Sequence, residues 1–401
     1  MEPAWLHRGN MKKNKEVFDK EVLEAFGARE QDMGLLLEYV ANPMQPSSMP
    51  DSLNLPLEDE PFAATWKEYV QEAKQSGFLQ ALQKRLIQLN FPVREGMSQD
   101  PDYQAAVKKG RLPEQLSTGP QFVSPDTLKL FVHESPAGSI GVLQAGERQD
   151  FVTLVQALLH KNEPISVPDS LGAFMVSGYN NWDRIRSYKQ AWMESQGDQG
   201  NEFSWMLEFD QFKKNKELYQ DRFIILSSGP YSNIPANDLD LDPENWMDKS
   251  TALRLEHECT HYFTRRVFSS MQKNLWDEIL ADYMGITAAL GSFSARWFLM
   301  FMGLENYPEY RPGGRFEKYV PDSLSERALE VLRGMTFAAA EHLHDLDQKF
   351  GPGTSSRQNR SVMLLALCIT GWSALAGPNY LERFNQAYRQ VSSRLQENTK
   401  L

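Results

Sequence analysis

The sequence predicts an α+β protein that is mostly helical, with a small mixed sheet in its middle third. Three observations carry this. Apolar residues recur at three- and four-residue steps over 12–41 and 61–110, the period of helices with one buried face. After about residue 119 the pattern changes to short runs rich in Val, Ile, Leu and Phe, as in strands. From about Asp248 onward every segment again reads as helix. The order helical, mixed, helical divides the 401 residues into regions 1–118, 119–246 and 247–401.

In the first region the helical stripe runs through Val17, Val22, Leu23 and Phe26, and then through Trp66, Tyr69, Val70, Leu79, Leu82 and Leu86. The segment "ANPMQPSSMPDSLNLPLEDEP" between them is rich in proline and serine and reads as a loop. A second such stretch, "GRLPEQLSTGPQFVSPD", marks the boundary. In the middle region "LKLFVHE", "SIGVLQA", "LGAFMVSGYN" and "RFIILSSGPY" read as strands. "DFVTLVQALLH" and a segment near 183–196 read as helices. The last region holds expected helices at 248–269, 274–290, 293–303, 322–350, 356–376 and 379–397. No repeat of solenoid period is present.

Composition excludes several classes. The net charge of −11 repels phosphate backbones, so nucleic acid is not an expected partner. Two cysteines, Cys259 and Cys368, exclude a disulfide framework and fit a reducing compartment; both read as small buried hydrophobes. No apolar run follows the N-terminal lysines, so no secretory signal is expected, and Met11 is a possible alternative start. The longest nearly apolar run, 362–377, is short for a bilayer and contains Thr370 and Ser373. A cytoplasmic protein without membrane spans is expected.

The chemistry concentrates in "LRLEHECTHYFTRRVF", residues 253–268, which contains His257-Glu258-x-x-His261. On a helix the two histidines lie one turn apart on one face. Ala252, Leu255, Cys259, Tyr262 and Phe263 cluster on the other. Two imidazoles at this spacing can reach one zinc ion, with the intervening Glu beside the metal as a base. A third ligand is needed. Sixteen residues separate His261 from Glu278, which is followed one turn later by Asp282 in "NLWDEILADYMGI". Glu278 and Asp282 share a helix face, and Asp277 points about 100° away. A carboxylate at 282 suits an outer role, accepting the free ring N–H of a ligand histidine.

H-E-x-x-H followed by E-x-x-x-D resembles the active-site motif of the gluzincin metallopeptidases, the thermolysin-like group. The resemblance covers roughly 248–285 and has a slightly shorter spacing; "NLWDE" stands where that group has a "GAINE"-type sequence. It implies one zinc ion held by His257, His261 and Glu278, with Glu258 as general base and Asp282 orienting His257. It also implies a peptide or protein substrate, and a helical zinc lobe following the small sheet. A zinc hydrolase of a non-peptide substrate and a non-catalytic scaffold that keeps a zinc-binding fold stay open as alternatives.

Other residues have weaker claims. His342, 64 residues after Glu278, lies near where thermolysin-like enzymes carry a catalytic histidine, but borders a buried stripe of its helix. Arg311, Arg315 and Tyr319 flank Gly313-Gly314 in "YPEYRPGGRFEKYV" and are expected to bind substrate from a loop rim. Asp238, Asp240 and Asp242 read as a solvated acidic loop, because Pro243 and Lys249 break a calcium-loop pattern. By the same resemblance, Ser227, Ser228 and Gly229 would bind substrate backbone from a sheet edge.

Overall fold

The computed structural model describes residues 4–50, 52–113, 118–197, 200–269, 274–351 and 356–398. It confirms a mostly helical α+β protein with one small sheet. The grouping differs from the three-region expectation. Residues 58–233 form one compact unit, and residues 1–57 join 234–401 in the other. The expected boundary at 118/119 therefore falls inside a unit, and the boundary at 246/247 lies about a dozen residues beyond the observed one. Composition marks loops, but it does not say which distant segment a helix packs against.

The 58–233 unit begins with helices α3 (Phe62–Ser76), α4 (Phe78–Arg85) and α5 (Pro101–Lys109). The helical stretch expected over 61–110 is divided at Gly77, whose φ of 86° closes α3 and opens α4, and again between Arg85 and Pro101. Its sheet contains β1 (Lys129–Ser135), β2 (Gly138–Ala145), β3 (Ala173–Asn180) and β4 (Gln220–Ser227) in the order β1-β2-β4-β3. The β1–β2 and β3–β4 pairs are antiparallel, and β2–β4 is parallel. Helix α6 (Arg148–Leu158) follows β2. Trp66 of α3 lies on Gly141 of β2, where any Cβ would stand 2.2 Å from the indole.

Between β3 and β4 the chain inserts two helices, α7 (Trp182–Ser195) and α8 (Glu202–Phe212), which share an apolar cluster of Ile185, Trp205 and Phe212. Helix α8 was not expected from periodicity. Phe203, Met206 and Leu207 are more than 60% exposed while Trp205 and Phe212 are buried, so apolar residues encircle the helix and blur its stripe. Beneath the sheet lies a buried polar network. Asp221 accepts from Trp66 Nε1 (2.9 Å), Asn181 Nδ2 (2.7 Å) and Arg184 Nη1 (2.6 Å).

The other unit is helical among its described residues. It comprises α1 (Ala4–Ala25), α2 (Glu30–Val40), α9 (Pro243–Phe268), α10 (Leu275–Leu290), α11 (Ala295–Met302), α12 (Glu326–Phe350), α13 (Arg357–Thr370), α14 (Trp372–Ala376) and α15 (Tyr380–Asn398). Two expected helices are each split. Residues 12–41 break between α1 and α2, with φ 94° at Gly27, and 356–376 break at Gly371, with φ 81°. Helix α1 is already formed before Met11, so the lack of periodicity there did not mean a lack of helix. No helix among the described residues is long and apolar enough to cross a membrane.

Helices α9 and α10 carry the HExxH and ExxxD residues and pack closely. A Cβ on Gly285 would lie 2.6 Å from the carbonyl oxygen of Leu253. This approach brings the carboxylates of α10 onto the histidines of α9. The expected split of α9 into an apolar and a polar face needs correction. Leu255, Cys259, Tyr262 and Phe263 are buried, and so are His257 (7% exposed) and His261 (9%). The imidazoles are inside the helical unit, where an unmatched charge is costly.

Candidate metal centre

The interior of one helix and the first turn of another meet at the cluster. Helix α9 starts at Pro243 behind an Asp242 N-cap, which accepts from Asn245 N at 2.9 Å, and presents its histidines in its second half. Helix α10 starts behind an Asn274 N-cap, which accepts from Asp277 N at 3.1 Å. Asp277 and Glu278 thus occupy the first turn of α10, where the helix dipole favours negative charge.

His257 Nε2 and His261 Nε2 face each other at 3.1 Å. Glu278 meets both with different oxygens: Oε2 is 3.4 Å from His257 Nε2, and Oε1 is 3.5 Å from His261 Nε2. Among the described residues this is the one group of His, Cys, Asp and Glu side chains spaced to hold a metal ion. Asp282, fully buried, contacts His257 Nδ1 at 2.8 Å. With a proton on Nδ1 donated to this carboxylate, the Nε2 lone pair is left facing the cluster. Glu258 is half-buried, and among the described residues no hydrogen bond or ion pair engages its carboxylate.

These residues fit zinc. A tetrahedral ion with ligands about 2.0–2.1 Å away separates its donors by roughly 3.3–3.4 Å, close to the three spacings observed. Two neutral nitrogens and one carboxylate are a donor set typical of catalytic zinc. The electrostatics agree. Burial alone would depress the pKa of His261. Its hydrogen bond to Glu278 and the charges of Glu278, Glu258 and Asp277 overcome this and raise it to about 9. Burial alone would likewise raise Glu278, but His257, His261 and Arg315 hold it well below the usual carboxylate range. The carboxylates that raise His261 are the groups whose field favours a cation at this position.

Arg315 does not lie on an exposed loop rim. It is buried, and its Nη2 donates to Glu278 Oε2 (2.8 Å) while Nη1 donates to Asp282 Oδ2 (3.1 Å). Tyr319 is likewise occupied, its hydroxyl accepting from Arg315 Nε (3.1 Å) and Nη2 (2.9 Å). Burial pushes its phenol pKa well up. Arg311 pairs with Glu305 and donates from Nη2 to Met300 O at 2.6 Å. The glycine loop is packed: a Cβ on Gly314 would lie 2.4 Å from Met302 O, and Tyr310 donates to Gly314 O at 2.9 Å.

His342 stacks on Tyr380 with centroids 3.8 Å apart, and its Nδ1 donates to Leu375 O at 2.7 Å. These contacts tie α12 to α14 and α15, and none is to a residue of the cluster. Asp240 pairs with Arg296, and Asp242 caps α9, so the acidic loop has structural partners. Ser227, Ser228 and Gly229 are not at a sheet edge. β4 is interior, and the amides of Ser227 and Ser228 already donate to Gly172 O (2.9 Å) and Ala145 O (3.1 Å). These two amides are therefore already engaged within the protein.

Tyr39 was missed. Its hydroxyl donates to Tyr319 O (2.9 Å) and receives Leu275 N (3.1 Å), joining α2 to the start of α10 and to the residue that holds Arg315. No local signal could have found it, because its partners lie 236 and 280 positions away. Asp277 is also more than a bystander. It is 1% exposed, and its charge acts on His261 and on the buried Cys368 thiol.

No curated protein and no solved structure matches the chain. One family model, described as a family of unknown function (DUF7005), matches residues 21–379. The match includes Tyr39, the whole His257–Tyr319 constellation and all of the sheet-bearing unit. The chain belongs to the DUF7005 family of unknown function.

Proposed function

We propose that this protein is a zinc-dependent hydrolase of amide bonds, with peptides as its substrate class and the cytoplasm as its compartment. The observation that carries this is the convergence of His257 Nε2, His261 Nε2 and the Glu278 carboxylate at 3.1–3.5 Å, beside a Glu258 that stays out of the set. Zinc held by these three residues would supply carbonyl polarisation and acidification of water. Asp282 keeps His257 in the tautomer that leaves Nε2 free. Arg315 holds the carboxylates of Glu278 and Asp282 in place. Glu258 takes a proton from the attacking water as the C–O bond forms, then returns it to the leaving nitrogen as the C–N bond breaks.

One observation favours a second, non-catalytic reading. Arg315 and a protonated His261 together satisfy Glu278 without an ion, so the same residues can stand as a buried ion network that holds α9 to α10. Two measurements separate the readings. Elemental analysis of unchelated protein should give one zinc per chain, and Glu258→Gln should keep that zinc while hydrolysis of a peptide library falls by about 10²–10⁴. Absence of zinc sinks the enzyme reading. Loss of zinc in the Gln variant makes Glu258 a ligand and overturns its assigned role.

A further inference from the structure

A cavity of about 170 Å³ lies in the helical unit between α1, α15 and the break that separates α13 from α14. One water needs about 10–15 Å³ of such space, so a ligand of several heavy atoms fits. Lys15, Asp19 and Arg383 supply its charges, and Val40, Ile369 and Trp372 are among its apolar lining residues. The metal cluster contributes no residue to it.

The two cations are poorly matched by the protein. Among the described residues Lys15 Nζ has one hydrogen bond, to Asn42 O at 3.3 Å, and burial depresses its pKa despite the nearby Asp19. The Arg383 guanidinium stacks over Phe18 at 4.5 Å, and among the described residues no acceptor engages it. A ring under one face of the guanidinium leaves its edge donors, the ones that bind carboxylates, free. Asp19 is buried, which pushes its pKa up, and the nearby Ser373 Oγ is buried with no hydrogen-bond partner among the described residues. Two cations and one carboxylate leave a single positive charge.

We propose that this cavity binds a small monocarboxylate, with its oxygens on Lys15 and Arg383 and a short apolar tail against Trp372. A monoanion neutralises the lining, whereas a phosphate dianion would meet Asp19 with a charge left over.

The test is calorimetric titration of the full chain with butyrate, and separately with inorganic phosphate, in chloride buffer. Butyrate should saturate one site, phosphate should bind at least about tenfold more weakly, and Arg383→Met and Lys15→Met should each weaken butyrate about tenfold or more. Arg383→Lys should restore part of the loss. Unchanged melting curves would show the variants folded; Arg383 is exposed, so its variant carries the test if Lys15→Met misfolds. No butyrate binding, equal or tighter phosphate binding, or a folded Arg383→Met that binds like wild type would each overturn the proposal.

Discussion

Each unit buries a cluster of charged side chains, and the two clusters are built on opposite plans. Around Asp221 every oxygen has a fixed partner: Arg184 on Oδ1, and Trp66 and Asn181 on Oδ2. The neighbouring Asp183 is held by Tyr69 and Arg85 at 2.9 Å each. Nothing is left for a ligand to do. Around His257 and His261 two ring nitrogens meet at 3.1 Å, where two lone pairs would repel unless a proton or a cation lies between them. His261 Nδ1 is buried without a hydrogen bond. A buried polar network that closes on itself adds rigidity, whereas one that stays open by a single charge has the makings of a site.

That contrast can be broken by exchanging the consequences of mutation. The largest expected effect is His261→Ala, which should abolish zinc binding in a competitive chelator titration while the protein remains folded. Asp221→Ala should do the reverse. It leaves Arg184 buried and unpaired, which costs about 3–5 kcal/mol of stability in denaturant melts, with zinc stoichiometry unchanged. If His261→Ala unfolds the chain and Asp221→Ala does not, the two clusters have been given each other's roles.

Smaller effects sharpen the comparison. Gly285→Ala forces a methyl against Leu253 O, so α9 and α10 must separate; a stability loss of about 1–3 kcal/mol is expected, together with weaker zinc binding. Asp282→Asn should keep zinc but bind it about 10–100-fold more weakly, because it acts through the His257 ring. Asp277→Ala should lower the melting temperature more than it lowers zinc affinity, since this side chain is buried beside the cluster but outside its donor set.

The smallest effect is a pH dependence. His261 in the metal-free protein titrates at about 9, above the ~6.5 of a free imidazole. Its proton therefore stabilises the fold fully below pH ~6.5, and that contribution is lost as pH rises through about 9. The melting temperature of metal-free protein should fall across this window. Zinc takes the place of the proton, so loaded protein should lack this fall. Parallel curves with and without zinc would remove His261 from the cluster's charge balance.

What the sequence determined by itself was local. A four-residue step on a helix puts His257 and His261 on one face, and Glu278 above Asp282, whatever surrounds them. Alternating and continuous apolar runs likewise mark the four strands, and chain periodicity marks most helices. The tertiary structure alone decided the partners. It turned Arg315 inward onto Glu278 and Asp282, engaged Arg311 and Tyr319 in bonds within the protein, and set His342 on Tyr380. It also placed β4 inside the sheet and brought Tyr39 of α2 to the first residue of α10. The physical reason is that helix and strand geometry follows from neighbouring backbone dihedrals, while the pairing of a buried charge depends on which distant surfaces pack together. No spacing in the chain records that Arg315, 37 positions after Glu278, is the group that neutralises it.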